Sequence, residues 1–444
     1  MYRSYILLGF SLPGVRVPHR KTTAHMPAVT MPPPALVTIP MQQHIGAPAT
    51  PIVKAGDNVT VGQVIATAGG YVSSPIHASI SGVVKAIDQV QLTNGTFSPA
   101  IVIASDGEMT PCPSLAPVSV TNYDEFITAV RDSGAVGFGG AGFPTSVKLD
   151  IKDTSRVDTI LINIAECEPY ITSDTQTVMA DTDYIVYAIK ALHQFLNANN
   201  IIIGIEKNKP QCIKRLSVAT QELSYVTIKS LPSLYPQGGE KVMIYNTTGR
   251  VVPEGKLPID VGVIVINCTT LAAIAKYILT GMPVVSKCLT VDGSAIASPK
   301  NVIVPIGTQI SDVIDFCGGY KAEPYKILYG GPMMGIAVNE LTAPVLKNNN
   351  AILAFDAKDA AEPKTTPCIR CGKCVSQCPV NLNPVLISKA YRNNDTAALE
   401  ELKVNLCMEC GCCSYICPTK QPLVHRNKLS KVMLRNAKAK EEKK

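Results

Sequence analysis

Eight cysteines near the C-terminus fall into two runs of one pattern, and they restrict this chain more than any other feature. The first run is Cys368-x-x-Cys371-x-x-Cys374-x-x-x-Cys378-Pro379 and the second is Cys407-x-x-Cys410-x-x-Cys413-x-x-x-Cys417-Pro418. With this spacing three cysteines wrap one corner of a four-iron cube, and the fourth, turned aside by proline, ligates the other cube. One [4Fe–4S] cluster is therefore expected on Cys368, Cys371, Cys374 and Cys417, the other on Cys407, Cys410, Cys413 and Cys378. Paired zinc ribbons also use C-x2-C knuckles. Zinc, however, leaves the third cysteine, the fourth and the proline unexplained in both runs. The chemistry implied is one-electron transfer.

A chain of 444 residues is too long for one ordinary core and fits about three or four domains. The 31 glycines and 33 prolines, beside 46% hydrophobic residues, describe a turn-rich, partly β protein. Aromatics are only 5% and tryptophan is absent, so no stacking ladder for nucleic-acid bases is present. Fifteen cysteines, eight with metal spacing, point to a reducing compartment and so to the cytoplasm. Met1–Phe10 has no small-residue cleavage site of the secretory type. The longest apolar stretch, Val261–Leu279, is broken by Asn267, Thr269, Thr270 and Lys276, so no membrane span is expected. Most of the net charge of +7 sits in His425–Lys444, where eight Lys/Arg face two Glu. That run reads as a solvated tail or as a contact for anionic lipid or an acidic partner. Leu429, Val432 and Met433 give it only a thin apolar stripe.

The patterning changes several times along the chain. Residues 1–35 are proline-punctuated and basic, an extended arm. Residues 36–119 carry short alternating runs broken by glycine turns such as Gly56-Asp57, the signature of a barrel-sandwich (lipoyl-like) domain. A carrier of that type needs a modifiable lysine at a hairpin tip. Ser73-Ser74-Pro75-Ile76-His77 stands there, so the unit is expected to be structural. Residues 120–285 read as α/β, with buried strands expected at Thr159–Ile164, Ile201–Ile205 and Val261–Ile266. Residues 286–345 return to short strands, a β-grasp (SLBB-like) unit. A linker over 341–366 then opens the two-cluster ferredoxin-like α-helical domain of residues 346–424, with the basic tail of 425–444 behind it. Within it Val385–Leu402 is expected to be helical, capped or broken at Asp395-Thr396. The fold class is thus multidomain α/β plus β.

The central loop Gly137-Phe138-Gly139-Gly140-Ala141-Gly142-Phe143-Pro144-Thr145 lets backbone N–H groups close on a phosphate with no Cβ in the way. Lys148 follows at the right distance to meet it. Downstream, Asn163-Ile-Ala-Glu166-Cys167-Glu168-Pro169-Tyr170 closes a buried strand with an amide and two carboxylates, at the edge where α/β sheets bind ligands. This constellation resembles the flavin-bearing NADH-binding subunit of respiratory complex I, in its G-x-G-G-A-G-F-P-T and E-G-E-P segments. Tyr235-Pro-Gln-Gly238-Gly239-Glu240-Lys241 and Asn267-Cys268-Thr269-Thr270 resemble two later segments of that subunit. The full order is closer still to the RnfC family, the peripheral subunits of Rnf ferredoxin:NAD oxidoreductases. The arm near Pro18-His19, Gln43–Ala49, Ser81-Gly82, Gly330-Gly331-Pro332-Met333-Met334-Gly335 and both cysteine runs follow that family.

The resemblance implies FMN held by Gly137, Gly139, Gly140, Gly142, Lys148, Asn163, Glu166 and Glu240, with Asn267 and Thr270 closing the pocket. NAD(H) would stack on the flavin, with Glu168 and Phe143 near the nicotinamide. It implies an oxidoreductase subunit peripheral on the cytoplasmic face of a bacterial membrane, bound to other subunits of a translocating complex and reading ferredoxin through one of them. A flavin can exchange a hydride with nicotinamide and single electrons with clusters, the converter such a chain needs. A soluble relative serving cobalamin or an amino-acid reductase is the alternative, and a flavin-free wiring scaffold a second. Phe138 departs from the complex I pattern, which has a basic residue there. Cys412 is an extra thiol beside Cys413. Cys112, Cys167, Cys212, Cys268, Cys288 and Cys317 lack metal spacing and read as small buried residues. Cys167, between two glutamates, is the exception worth following. The histidines read as structural.

Overall fold

The structure, a computed structural model, describes residues 13–441, so the first twelve residues of the arm and the last three of the tail lie outside the described residues. The rest of the arm is extended, as its prolines require, but it is threaded between domains. Val15 and Tyr235 exchange backbone hydrogen bonds of 2.7 and 3.0 Å. Further on, β1 (Val29–Thr30) pairs in parallel with β14 (Lys300–Pro305).

The alternating runs after it fold into two facing sheets. One has the order β2 (Leu36–Pro40), β8 (Phe97–Ser105), β7 (Gly82–Gln91), β4 (Asn58–Val59); the other is β3 (Thr50–Pro51), β5 (Val64–Thr67), β6 (Ile76–His77). Val37, Ile39, Ile65, Ile76, Ile101 and Ile103 fill the space between them, and all are buried. Gly56 takes φ +92°, the left-handed region that the expected Gly-Asp turn requires of it. Ser73, Ser74 and His77 are buried, so no carrier tip projects here.

The α/β domain is a parallel sheet in the order β11 (Val226–Leu231), β10 (Ile201–Glu206), β9 (Thr159–Ile164), β12 (Val263–Asn267). Helices cover both faces, which is why β10 is buried at every position. Tyr123–Asp132, Thr182–Leu196 and Cys268–Thr280 pack on one side, and Glu240–Thr248 on the other through Met243 and Ile244. Register places Asn267 directly beside Asn163. Two amides therefore meet at the carboxyl edge of the sheet.

The next sheet corrects the expected boundary at residue 345. Its order is β1, β14, β13 (Ser286–Asp292), β17 (Ala351–Phe355), β15 (Lys326–Tyr329), β16 (Ile336–Ala337). The stretch 341–366, expected as a linker, thus supplies a fully buried central strand. A five-residue apolar run behind three asparagines is too short to announce itself, and its place is set by pairing with β13 and β15. In the cluster domain the expected helix splits into Pro384–Arg392 and Thr396–Glu401, with Asp395 accepting the Ala398 N–H at 2.9 Å. The basic run is also corrected over its described residues: as far as Glu441 it is not a frayed tail. Leu423–Glu441 is one helix whose buried Leu423, Asn427, Ser430 and Leu434 recur every three or four residues against the cluster domain. Met433 packs inward with them, leaving Val432 exposed, so the stripe offers no lipid-facing surface.

Three domains meet at Lys347. Its ammonium, 1% exposed, donates to Pro75 O at 2.9 Å in the sandwich and Gly134 O at 2.7 Å in the α/β domain. Burial pulls its pKa down to about 7. A lysine whose folded pKa lies below its unfolded value adds stability as pH rises from about 7 toward 10.5. Lys347→Met leaves two buried carbonyls without a donor, an expected loss of about 1–3 kcal/mol, and it flattens the rise of Tm between pH 7 and 9. Thermal melts of both proteins across that window check it.

Candidate flavin and iron–sulfur sites

The glycine-rich loop leaves the Tyr123–Asp132 helix and returns on itself. Gly137 N–H donates to Phe143 O at 2.8 Å, and Val136 bridges Pro144. Gly139 and Gly142 take φ of +72° and +71°. Gly140 differs, because a Cβ there would meet nothing within 4 Å and its φ is ordinary. Its own fold does not require glycine, so the bare backbone serves what lies outside the loop. A Cβ on Gly139 would stand 3.5 Å from Asn267 Nδ2, placing the loop beside the sheet edge. Thr270 Oγ1 accepts the Phe138 N–H and donates to Val136 O, both at 3.2 Å, and so holds the loop on the Cys268–Thr280 helix. Thr145 Oγ1 is buried with no partner among the described residues. A bare backbone, an orphaned hydroxyl and two edge amides fit a phosphate-bearing ligand such as FMN.

The remaining expected residues converge on this edge, with their polar groups already engaged. Lys148 Nζ lies 3.1 Å from Glu240 Oε1 and 3.0 Å from Val265 O; the pair is partly exposed and open to exchange with a ligand. Asn163 Nδ2 donates to Gly238 O at 2.9 Å. Asn267 caps its helix and donates to Asp174 Oδ2 at 2.8 Å. Phe143 is half-buried at the loop's closure. The two carboxylates of the acidic segment are turned elsewhere than expected. Glu166, at φ +45°, accepts the Asp174 N–H at 2.6 Å and the Thr175 hydroxyl at 2.6 Å, capping the Ser173–Ala180 helix from a distance. Glu168 accepts the Met333 and Met334 amides at 3.0 and 2.9 Å, fastening the α/β domain to the loop after β15. Burial pushes its pKa up to about 7, against the pull of those two amides.

Three residues here escaped the sequence reading. Lys21 of the arm donates to Glu166 O and Glu168 O, each at 2.8 Å, and to Ile171 O. Asp174 accepts from Asn267 and Thr269, each at 2.8 Å. Lys287, on β13, is 4% exposed, with its Nζ 4.5 Å from the Phe138 ring centroid. Burial lowers its pKa to about 8, with Asp174 acting against that. The basic residue missing from the loop at Phe138 thus has a cation behind it from another domain. Only its placement behind an apolar position of the loop could have signalled it, and that is not visible in one dimension.

The cysteines separate as their spacing requires. Cys368, Cys371, Cys374 and Cys417 line one cleft, with Arg370, Arg392 and Thr419. Cys378, Cys407, Cys410 and Cys413 act on one another electrostatically as a second group. Among the described residues no three such side chains close on a point as around a single ion; thiolates around a four-iron cube stand farther apart. Both sets fit four-iron clusters. Cys368 and Cys371 are exposed, whereas Cys378, Cys410 and Cys413 are buried. The second set lies against the α/β domain, where Cys410, Cys412 and Met408 pack with Val15, Cys167, Tyr235 and Met333. Cys412 Sγ donates to Tyr235 O at 3.8 Å, which makes it a packing thiol beside the ligand Cys413. Cys167 accepts the Gly238 N–H at 3.3 Å, and burial pushes its thiol up to about 12.

Fold and site together define a multidomain flavoprotein with a ferredoxin-type two-cluster module. Four family descriptions match in order: RnfC barrel sandwich hybrid domain over 11–108, Nuo51 FMN-binding domain over 130–276, SLBB domain over 289–337 and 4Fe-4S dicluster domain over 364–421. A subunit of the proton-translocating ferredoxin:NAD(+) oxidoreductase complex of Clostridium ljungdahlii is 41% identical over 83% of this chain and 81% of its own length. The corresponding subunit of the Na(+)-translocating complex of Acetobacterium woodii is 40% identical over 86% and 87%. The chain belongs to this family, the RnfC subunits of ion-translocating ferredoxin:NAD oxidoreductase complexes. An NAD+-reducing [NiFe]-hydrogenase chain shares the fold, with TM-score 0.50 and 18% identity over 70% of this chain and 61% of that one.

Two expected outcomes follow from this geometry. Lys287→Met removes the cation over the Phe138 ring, worth about 0.5–2 kcal/mol to the loop's seat, so Tm is expected to fall with iron content unchanged; thermal melts measure it. A carboxylate whose folded pKa, about 7, exceeds its unfolded 4.5 gives stability that is present below pH 4.5 and lost as pH rises through 7. Glu168→Gln therefore flattens the decline of Tm between pH 5 and 7.5, as read by anaerobic melts.

Proposed function

We propose that this chain passes electrons between NAD(H), FMN and two [4Fe–4S] clusters, as the RnfC subunit of a membrane-bound, ion-translocating ferredoxin:NAD oxidoreductase on the cytoplasmic face. FMN, when bound, supplies the exchange between a hydride and single electrons. The chain's own residues bind and insulate. Gly137, Gly139, Gly140 and Gly142 offer the backbone cradle; Lys148, Glu240, Asn163, Asn267 and Thr270 stand around it at the sheet edge. The observation that carries the reading is the packing of Tyr235 and Cys167 on Cys410 and Cys412, which puts the buried cysteine set directly on the flavin-domain side. The set with exposed Cys368 and Cys371 then faces outward. A relay with one end at the nucleotide and one at the surface follows from that order.

No helix among the described residues is long and apolar enough to cross a membrane, which supports peripheral attachment through partner subunits. The relatives named above belong to multi-subunit complexes, which favours that setting over a soluble reductase. The FMN-domain match and the open glycine loop leave the scaffold alternative without support. Anaerobic purification with flavin and iron quantified together tests the reading. One FMN and about eight irons per chain, with bleaching of the visible spectrum on NADH addition, is the expected result. Eight irons without flavin and without bleaching would refute it.

A further inference from the structure

The glycine loop has a second wall that the α/β domain does not supply. It is the segment Lys347-Asn348-Asn349-Asn350, which leads into the buried strand β17 of the SLBB sheet. Asn348 Nδ2 donates to Gly140 O at 3.4 Å, and a Cβ on Gly142 would stand 3.4 Å from the same nitrogen. A Cβ on Gly139 would lie 4.0 Å from Asn350 Nδ2 and 3.5 Å from Asn267 Nδ2. Side-chain amides from two domains thus flank the bare backbone. The middle asparagine has a different task. Asn349, 2% exposed, accepts the Ala351 N–H at 2.9 Å and so starts the strand. Asn348 and Asn350 on either side of it are only half-buried.

The folded chain leaves donors unused at this wall. A side-chain amide nitrogen carries two N–H groups. Asn348 spends one on Gly140 O, and the Asn350 side chain makes no hydrogen bond among the described residues. The Gly139 and Gly140 N–H groups have no partner among them either. In the same neighbourhood Gln43 Nε2, Asn349 Nδ2 and Thr145 Oγ1 are buried without one. Unmade hydrogen bonds cost stability, so the fold alone does not account for this surplus. A group that takes several donors at once is an oxyanion, and a phosphate on a cradle of backbone N–H groups is such a case. Resting on the flavin reading above, we propose that Asn348 and Asn350 are phosphate-binding residues contributed by the SLBB domain. Their amides donate to a phosphate of the nucleotide held by Gly139–Gly142. FMN and NAD(H) both carry that group. The nucleotide site is then incomplete in the α/β domain alone, and the SLBB domain acts as its outer wall.

The test uses the full chain with clusters loaded. FMN and riboflavin binding to the flavin-depleted protein is read by fluorescence quenching, and NAD+ binding to the FMN-loaded protein by calorimetry. In Asn348→Ala/Asn350→Ala the FMN dissociation constant is expected to rise about ten-fold or more, the worth of one hydrogen bond to a charged group. Riboflavin, which lacks the phosphate, is expected to stay within about two-fold of the parent. A rise confined to NAD+ would put the amides on its pyrophosphate and not on the FMN phosphate. Asn348→Asp/Asn350→Asp keeps the side-chain size but turns carboxylates toward the ligand, and is expected to cost about a further ten-fold on the same probe. Iron content and thermal melts show that each variant is folded. Unchanged affinities for FMN and NAD+, or equal losses for FMN and riboflavin, would overturn the assignment. A parent that binds neither FMN nor NAD+ would refute the flavin reading itself, whereas a parent that binds both, with variants that match it, would overturn only the role of the asparagines.

Discussion

The Glu168 carboxylate, accepting the amides of Met333 and Met334, is the contact on which the placement of the redox sites depends. It leaves the edge of the flavin domain and grips the loop of another domain. That loop in turn lies on the second cysteine run, since a Cβ on Gly411 would come within 2.9 Å of Met333 O. Tyr235, Cys412 and Val15 complete the junction, so arm, flavin domain, SLBB sheet and cluster module meet around one small apolar patch. A carboxylate drawn even partly out of water is costly unless its lone pairs are satisfied. Two amides from adjacent residues satisfy this one in a geometry that few other arrangements of the domains would allow.

Lys21 plays the matching part from the other side. Its ammonium gathers the carbonyls of Glu166, Glu168 and Ile171, so the acidic segment is held by the arm as well as by the sheet. Glu166 then caps the Ser173–Ala180 helix, whose Asp174 orients Asn267 and Thr269 at the flavin edge. The acidic segment that looked like a ligand-binding feature is thus also the hinge pin of the assembly. The carboxylates face the joints, while Asn163 stays at the carboxyl edge of the sheet beside Asn267.

Much of this was legible in the sequence, and the physical reason is locality. Cysteine spacing, a glycine loop, parallel-strand runs at Thr159–Ile164 and Ile201–Ile205, and a cap at Asp395 are set by residues a few positions apart. The parts that escaped are set by partners far away in the chain. Ala351–Phe355 becomes a central strand only because β13 and β15 flank it. The run after His425 becomes a packed helix because the cluster module offers a groove for Leu423 and Leu434. Glu168 finds its amides 165 and 166 residues downstream, and Lys287 reaches Phe138 from a different domain. Chemistry could be read from the chain; which carboxylate joins domains and which cation backs the loop could not.

The central claim is the order of the relay, with the cysteine set Cys378, Cys407, Cys410 and Cys413 on the flavin side and the other set at the surface. The most direct measurement is rapid-freeze EPR after NADH addition on two variants, Cys371→Ser and Cys410→Ser, each confirmed to retain flavin and one cluster. In Cys371→Ser the remaining cluster is predicted to be reduced at the rate seen in the parent. In Cys410→Ser the remaining surface cluster is predicted to stay oxidised on that timescale. The opposite pattern, fast reduction in Cys410→Ser and none in Cys371→Ser, would contradict the account.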